Sequence, residues 1–432
     1  MTGPLWKVLP DGWRVGQVKN AATVTLGKML QSKDSGSDVC APYMRAANVQ
    51  PDGVLALDDV NEMWFTKGEM DQLSIRAGDV VVVEGGQGGF GRAAYVDQDL
   101  PGWGFQNSIN RLRAIGDFDG RFIAFYLIAL RASGFIRAYS NVVSMPHLTA
   151  EKLARIPIPL PPVEAQRAIA NYLDRETARI DTLIEEQQRL IGMLQERRFA
   201  LRVNVALHGT VLTEEVPSPL PWVESLPAGW RVVPLTSVAK LESGHTPSRS
   251  REDWWRDCYI PWVSLHDVGG MRGAKYLHDT TQHISDAGIA NSSARLLPAR
   301  TVVLSRDATV GRTAIMGVPM ATSQHFAAWV CGPDLDPEYL WVLFEDAMQP
   351  FFDSFQNGST IRTIGMGDLK AFRIPLPPLD EQRRIVEYLD EETAKIDSLI
   401  AETERFVELS KERRSALITA AVTGQIDVRE AA

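Results

Sequence analysis

The sequence has few of the residues that build disulfide frameworks, metal sites or membrane spans. Its 432 residues include only three cysteines, Cys40, Cys258 and Cys331, which lie far apart and show no C-x-x-C spacing. We expect them to be buried thiols of a reducing cytoplasm, because a disulfide frame or a zinc site needs paired spacings. The longest apolar run, residues 122–130, is about half as long as a bilayer requires. No signal peptide is visible, so the totals predict a cytoplasmic, soluble protein of two or more domains.

Motifs of catalysis and nucleotide binding are also missing. The chain has no G-x-x-x-x-G-K-[ST] loop for ATP and no [ND]-P-P-[YF], with which adenine methyltransferases hold a flipped base. Residues 80–95, VVVVEGGQGGFGRAAY, do contain a G-x-G-x-x-G spacing. A dinucleotide loop must open a helix, whereas the residues after Arg92 alternate and then break at Pro101. We therefore predict a glycine turn between two strands, and no catalytic residue, metal or cofactor in this chain.

The chain repeats itself. IPLPPVEAQRAIANYLDRETARIDTLI at 158–184 matches IPLPPLDEQRRIVEYLDEETAKIDSLI at 374–400 without a gap, and LPDGWRV at 9–15 matches LPAGWRV at 226–232. Opposite GDVVVVEGGQGGFGRAAY the second half has RTVVLSRDATVGRTAI. The sequence therefore predicts two half-chains, each a globular unit followed by a helical segment.

Each IPLPP is followed by about 45 residues without an internal proline, which predicts a helix about 65–70 Å long. Proline pairs suit the helix starts and glycines the ends; these positions are Pro161-Pro162, Pro377-Pro378, Gly209 and Gly424. Apolar residues recur by fours and threes from Leu173 to Val205 and from Leu389 to Val407, as in a heptad seam. We predict that the two helices pair as an intramolecular antiparallel coiled coil, with a homodimerising coiled coil as the alternative.

The globular units are predicted to have a mixed α/β fold. Strands are predicted at 79–84, 92–96, 231–234, 301–305 and 313–316, and helices at 119–131 and 336–348. The predicted domains are residues 1–155 and 212–372, and the predicted helical spacers are residues 156–211 and 373–432.

The paired segments resemble the specificity subunits of type I restriction-modification enzymes. The shared marks are IPLPPxxxQRxIxxYLDxETAxIDxLI and LPxGWR, each present twice, with SGHTPSRSREDWW at 243–255 and QNGSTIRTI at 356–364. The resemblance implies two target recognition domains, each reading one half of a split sequence in double-stranded DNA. It also implies that the helices set the distance between the domains and dock two methyltransferase subunits. Two motor-nuclease (restriction) subunits would be optional further partners.

By the same resemblance the chain is a non-catalytic subunit of a DNA-methylating, phage-defence system. S-adenosylmethionine, ATP and Mg²⁺ would then be bound by the partner subunits. Two interpretations from other classes stay open, namely a coiled-coil scaffold that binds no DNA and a single-chain enzyme that modifies DNA.

The charge balance is unusual for a DNA-binding protein. Residues 1–155 contain 16 basic and 16 acidic side chains, and residues 212–372 contain 13 basic and 18 acidic ones. Because neutralisation of phosphates dominates DNA affinity, we expect the chain alone to bind DNA weakly and its partners to supply much of the positive charge.

Base-reading residues are expected among the polar and basic side chains of exposed loops. In the first half the candidates are Lys28, Gln31, Ser32, Lys33, Gln87, Arg92, Gln106 and Asn107. In the second half they are Ser248, Arg249, Arg251, Arg306, Arg312, Gln324, His325 and Arg362. Any one of them could instead be a solvated charge or a structural hydrogen-bonding group. Trp13 and Trp230 are predicted to be packing anchors. The helix residues expected to contact methyltransferase subunits are Arg167, Arg179, Arg383 and Lys395.

Overall fold

The computed structural model describes residues 3–86, 89–140, 147–355 and 363–428. The chain packs as two units, unit 1 (Met1–Gln188 and Glu404–Ala432) and unit 2 (Arg189–Thr403). The division falls inside both long helices, α5 (Val163–His208) and α10 (Leu379–Val422). Each unit therefore contains one globular domain and a segment of each long helix.

Unit 1 is built around a four-stranded sheet of order β2-β8-β5-β6 and a three-stranded sheet of order β4-β3-β7, with β1 paired to β9. The strands are β1 (Arg14–Gln17), β2 (Ala22–Leu26), β3 (Val39–Met44), β4 (Asn61–Phe65), β5 (Asp79–Val83), β6 (Ala93–Tyr95), β7 (Gly104–Phe105), β8 (Ile109–Ala114) and β9 (Pro157–Leu160). The short helices are α1 (Lys67–Gln72), α2 (Gly120–Ala132), α3 (Phe135–Tyr139) and α4 (Ala150–Ala154).

Unit 2 has sheets of order β13-β20-β17-β18-β15 and β16-β14-β19, and the pairs β12-β21 and β10-β11. The strands are β10 (Glu215–Pro217), β11 (Ser225–Pro227), β12 (Arg231–Pro234), β13 (Ala239–Ser243), β14 (Ile260–Val263), β15 (Tyr276–Leu277), β16 (His283–Ile284), β17 (Val302–Ser305), β18 (Thr313–Met316), β19 (Ala321–Thr322), β20 (Phe326–Cys331) and β21 (Arg373–Leu376). The short helices are α6 (Asp286–Ala290), α7 (Pro337–Val342), α8 (Gln349–Asp353) and α9 (Met366–Ala371).

The valine run of β5 is explained by burial on both faces of its sheet. Val80 and Val82 belong to the cluster that includes α2, whereas Val81 and Val83 belong to a second cluster with residues of β3 and β4. Side chains alternate along a strand, so a strand covered on both faces has no polar positions. The predicted strand–turn–strand around the glycines is confirmed by β5 and β6. Gly91 lies in the turn with φ 72°, which favours glycine.

The two long helices run antiparallel within each unit, as predicted. In unit 1, Ile180 and Ile184 pack against Val407. Arg414 donates two hydrogen bonds to the carboxylate of Asp181, from Nε to Oδ1 at 2.8 Å and from Nη2 to Oδ2 at 3.0 Å. In unit 2, Arg198 Nε lies 2.8 Å from Asp397 Oδ1. The mixed α/β fold with an intramolecular helix pair is thus confirmed.

The predictions for the helix ends and for the two tryptophans are confirmed as well. Gly209 and Gly424 follow α5 and α10 in the left-handed conformation, with φ of 77° and 69°. A side chain at Gly424 would meet Trp13, and one at Gly209 would meet Trp230. Both tryptophans pack against their unit's core. LPxGWR and the terminal glycine therefore form one packing unit in each half.

A buried glutamine lies in the first turn of each long helix. In unit 2 the Gln382 carboxamide accepts a hydrogen bond from Asp336 N at 2.8 Å and donates to the carbonyls of Asp334 and Pro377, both at 2.9 Å. In unit 1 Gln166 makes the matching bonds, accepting from Asp119 N at 3.0 Å and donating to Pro161 O at 2.9 Å. Asp119 and Asp336 are the N-caps of α2 and α7, so the glutamine of IPLPPxxxQR joins two helix starts.

Two expectations are corrected. The helix predicted at 336–348 is α-helical as far as Val342 and continues as a π-helical turn over Leu343–Ala347, in which Met348 N donates to Leu343 O at 2.8 Å. Cys40 was expected to be buried but is exposed on β3, where its Sγ lies 3.7 Å from Glu62 Oε2. Burial raises the pKa of the Cys331 thiol to about 12.

Among the residues the structure describes, no helix combines the length and the apolar character needed to cross a membrane. Within the same ranges, no group of three or more histidine, cysteine or acidic side chains is arranged to hold a metal ion.

We predict that Gln382→Leu lowers the free energy of unfolding by about 2–4 kcal/mol, because it leaves the Asp336 N–H and two carbonyls without partners. Calorimetry should show a lower melting temperature. The control is Gln188→Leu, the same exchange at an exposed position of α5, which should shift the melting temperature little. Equal stability of the two variants would contradict the structural role of Gln382.

Candidate nucleic-acid interface

Three segments of unit 2 meet where β13, β17 and β20 share one end. Ser243 pairs with Ala327, and Ser305 pairs with Phe326. The segments that follow Ser243 and Ser305 must therefore meet the segment that precedes Phe326. We call residues 244–251, 306–312 and 322–325 the loop edge of unit 2.

Side chains and backbone groups tie these segments together. Thr246 Oγ1 donates to Gln324 Oε1 at 2.7 Å, and His325 Nδ1 lies 3.0 Å from Asp307 Oδ2. The backbone N–H of Arg306 donates to His325 O at 2.9 Å. The structure thus brings the candidate Arg306 to the adjacent candidates Gln324 and His325, from which it is distant in sequence.

Unit 1 has the same arrangement. Leu26 pairs with Asn110, and Val83 pairs with Ile109. The segments 27–33, 84–86, 89–92 and 105–108 therefore meet, and we call them the loop edge of unit 1. Glu84 N donates to Ser108 O at 2.9 Å, in the same place as the bond of Arg306 in unit 2. The candidates Lys28, Gln106 and Asn107 lie together here, since Lys28 N donates to Phe105 O and Asn107 N to Lys28 O.

In each loop edge, a glycine allows two backbone segments to cross at close range. A Cβ built on Gly244 would lie 1.7 Å from Thr322 O, and one built on Gly27 would lie 2.2 Å from Gln106 O. Both glycines come directly after a strand, where the chain crosses the neighbouring segment. The close approach of two backbones excludes any side chain at these positions.

Several candidates of unit 1 are engaged in structural contacts. Lys28 Nζ pairs with Glu69 Oε2 at 2.5 Å, and this hydrogen bond is the main reason that the pKa of Glu69 is lowered. Gln31 Nε2 donates to Lys33 O at 2.9 Å and to Asp38 Oδ2 at 2.6 Å. Ser32 and Lys33 are exposed on the same loop. Their roles in DNA binding stay predictions.

The remaining candidates of unit 1 differ in exposure. Gln106 and Asn107 are half-buried, and Gln106 Oε1 accepts a hydrogen bond from Ser108 Oγ at 3.3 Å. The side chain of Arg92 lines a cavity beside α2, α5 and α10, where its Nη1 donates to Val49 O at 3.4 Å. Gln87 lies outside the described residues.

The arginines of unit 2 divide into engaged and available side chains. Arg251 is held by Asp253 through two hydrogen bonds of 3.1 and 3.0 Å, and Arg306 Nε donates to Ile364 O at 3.0 Å. Arg249 instead lies over the Trp255 ring, and among the described residues its guanidinium makes one hydrogen bond, to Gln282. Ser248 is exposed and Arg312 half-buried, whereas Arg362 lies outside the described residues.

Reasoning from the sequence missed residues that share the loop edges. Glu84 takes the position of Arg306 in unit 1, and burial raises its pKa. Gln282, Trp255 and Trp262 surround Arg249. Only the aromatic pair next to Arg251 in SREDWWRD could have pointed to this cluster.

The helix surfaces carry two matching exposed apolar pairs. Leu190 and Met193 lie on the unit 2 segment of α5, and Phe406 and Leu409 lie on the unit 1 segment of α10. The two pairs occupy equivalent positions of the repeated motif. The predicted partner-binding residues Arg167, Arg179, Arg383 and Lys395 are all exposed as well. Lys395 pairs with Glu391 and Glu392, at 2.8 and 2.7 Å.

Comparison with known proteins gives a consistent result. A family model described as the type I restriction modification DNA specificity domain matches residues 10–191 and again residues 227–405. The type I restriction enzyme MjaIX specificity subunit of Methanocaldococcus jannaschii is 27% identical over 168 residues, 39% of this chain and 38% of that protein. The EcoKI specificity subunit of Escherichia coli K12 is 28% identical over 215 residues, 46% of this chain and 44% of that protein. The chain thus spans less than half the length of these curated relatives.

Two solved structures share the fold. A chain described under "Structural basis underlying complex assembly and conformational transition of the type I R-M system" has a TM-score of 0.76 and 21% identity, covering 98% of this chain and 100% of that one. The HsdS subunit from Thermoanaerobacter tengcongensis has a TM-score of 0.60 and 21% identity, covering 99% and 100%. At this identity the likeness concerns the fold alone.

We predict that Gly244→Ala destabilises unit 2 by about 1–3 kcal/mol, because the added methyl group must displace a backbone carbonyl. Amide hydrogen exchange should become faster in residues 245–251. The control is Gly269→Ala, where an added Cβ meets nothing within 4 Å. Unchanged exchange in the Gly244→Ala variant would contradict the role of this glycine.

Proposed function

Because the chain belongs to the type I restriction modification DNA specificity family, we propose that it is the sequence-recognition subunit of a type I restriction-modification complex. In this proposal it is a non-catalytic, cytoplasmic protein that binds double-stranded DNA. Residues 1–155 and 212–372 are its two target recognition domains, and each reads one half of a split target. Residues 156–211 and 373–432 are the helical spacers.

The observation that carries the proposal is the duplication of the loop edge. Both units use the same strand pairings and the same backbone bonds to bring three loops together, and the family model matches both halves. The side chains on these frames differ, with Arg306 in unit 2 and Glu84 in unit 1 at the same position. Two similar frames with different polar groups suit two different half-sites.

The helix surfaces support binding of two methyltransferase subunits. Neighbouring exposed apolar side chains contribute to the patches that mark protein interfaces, and here such a pair occurs at the same positions of each repeat, as Leu190 with Met193 and as Phe406 with Leu409. Two equivalent docking positions favour two copies of one partner. These subunits would bind S-adenosylmethionine, and motor-nuclease subunits would bring ATP and Mg²⁺.

The proposal is tested by comparing the chain alone with the chain bound to the methyltransferase subunit encoded beside it. We expect a sequence-specific footprint of two protected half-sites for the complex only, because residues 1–155 and 212–372 have no excess of basic side chains with which to neutralise phosphates. A scaffold without DNA binding predicts no footprint. A single-chain enzyme predicts methylation or cleavage by the chain alone with S-adenosylmethionine, ATP and Mg²⁺, and either result would overturn the proposal.

Exchanging residues 1–155 for the corresponding domain of another family member should change one half of the methylated sequence. The other half and the spacer should stay the same, because each unit has its own loop edge. Genomic methylation sequencing of cells that carry the two chains provides the measurement. The reciprocal exchange of residues 212–372 is the control, and simultaneous change of both halves would contradict independent reading.

Met193→Asp and Leu409→Asp should each remove one methyltransferase subunit, because a buried charge opposes docking. Native mass spectrometry should show a two-to-one complex for the parent, a one-to-one complex for either variant and none for the double variant. Leu212→Asp, at a fully exposed position outside the helices, is the control that retains both subunits. A double variant that still binds two copies would place the docking surface elsewhere.

A further inference from the structure

Arg249 in the loop edge of unit 2 is held in a fixed orientation by its neighbours. Its guanidinium carbon lies 3.9 Å from the ring centre of Trp255 and 5.6 Å from that of Trp262. Its Nη2 donates to Gln282 Oε1 at 2.9 Å. One face of the planar group is therefore covered, and one edge is fixed by a hydrogen bond.

The residues that hold Arg249 are themselves anchored. Trp255 Nε1 donates to Ser248 O at 3.1 Å, and the Trp255 ring meets Trp262 edge-on, with ring centres 5.8 Å apart. Trp262 is 2% exposed and belongs to a core cluster. The backbone carbonyl of Gln282 accepts hydrogen bonds from Trp262 N and Thr280 Oγ1. The orientation of Arg249 is thus set by the core of unit 2 rather than by a mobile loop.

The rest of the Arg249 guanidinium has no protein partner. Apart from the bond to Gln282, it makes no hydrogen bond or ion pair to any residue within the described ranges. Arg251, two residues later, differs because Asp253 occupies two of its nitrogens. A stacked guanidinium presents its remaining N–H groups edge-on, in one plane.

That geometry fits the major-groove edge of guanine. Guanine offers two acceptors, N7 and O6, in the plane of the base, and a paired contact from arginine to both is the commonest specific contact to DNA. A phosphate contact would require positive charge but not a fixed plane. Holding the plane in advance removes the entropic cost of orienting a long side chain on binding.

We propose that Arg249 reads a guanine in the half-site of unit 2, and that Trp255 and Gln282 are positioning residues for this contact. The inference rests on the proposed function, because it requires unit 2 to bind DNA. It assigns to this half-site one position at which guanine is required. It also separates Arg249 from the other basic residues of the loop, whose contribution would be independent of sequence.

The test uses the complex with methyltransferase subunits and duplexes that contain its methylated sequence. Each guanine of the unit 2 half-site is replaced in turn by 7-deazaguanine, which lacks the N7 acceptor. At one position we expect the affinity of the parent complex to fall about five- to tenfold, as for the loss of half of a bidentate base contact. Fluorescence anisotropy measures the affinity on both duplexes.

The variants distinguish base reading from charge. Arg249→Met removes every donor of the guanidinium and keeps a long side chain, so it should bind ordinary and substituted duplexes equally. Trp255→Ala should lose most of the discrimination, and Trp255→Phe should restore it, which a merely structural role would not do. Arg256→Ala removes an exposed charge from the same loop and should keep the parent's affinity ratio.

The outcomes distinguish failure of the proposed function from failure of the guanine contact. A parent complex that protects no half-site would overturn the proposed function and the guanine contact with it. A protected half-site without any position sensitive to 7-deazaguanine would overturn the guanine contact alone. Arg249→Met with the parent's discrimination would show that Arg249 does not read this guanine, and Trp255→Ala with the parent's discrimination would show that Trp255 does not position Arg249.

Discussion

A buried carboxamide at the first turn of each long helix fixes how that helix leaves its globular domain. Gln382 bonds to the N-cap of α7 and to the proline segment before α10, and Gln166 does the same in unit 1. In unit 2, β13 starts near this helix junction, since Ala239 pairs with Cys331 three residues before Asp334, and it ends at the loop edge. The junction and the loop edge therefore lie at opposite ends of the same sheet, and the position of one determines that of the other.

The two loop edges combine one backbone frame with different chemistry. The bond from Arg306 N to His325 O is matched by the bond from Glu84 N to Ser108 O. The strand pairings next to them are matched as well. Backbone bonds preserve the positions of the loops, while the side chains that project from them are free to differ. Such a frame can carry a new recognition surface without a change of fold, because loop side chains contribute little to the core.

The loop edges contain basic side chains whose conformations are restricted by neighbouring groups, although the chain has no excess of positive charge. Lys28 is paired with Glu69 and Arg251 with Asp253. These two cations are therefore occupied by contacts within the protein. The exposed Arg251–Asp253 pair contributes little stability, but both pairs restrict the conformations of long side chains. Arg249 reaches the same restriction through tryptophan stacking, and this leaves its N–H groups available. Under the proposed function, charge that attracts the phosphate backbone would come largely from partner subunits.

The sequence by itself determined the duplication, the two long helices, their glycine ends and the strand–turn–strand at the glycine run. These features depend on local periodicity or on motifs that appear twice, such as the one that contains Gln166 and Gln382. Only the tertiary structure decided which loop residues meet. Arg306 and His325 are joined by the pairing of β17 with β20, and Arg249 forms a hydrogen bond with Gln282, which precedes β16 and lies 33 residues later in the chain. Such contacts depend on strand order and register, which local patterns in a single sequence do not specify, and the same holds for exposure, as Cys40 illustrates.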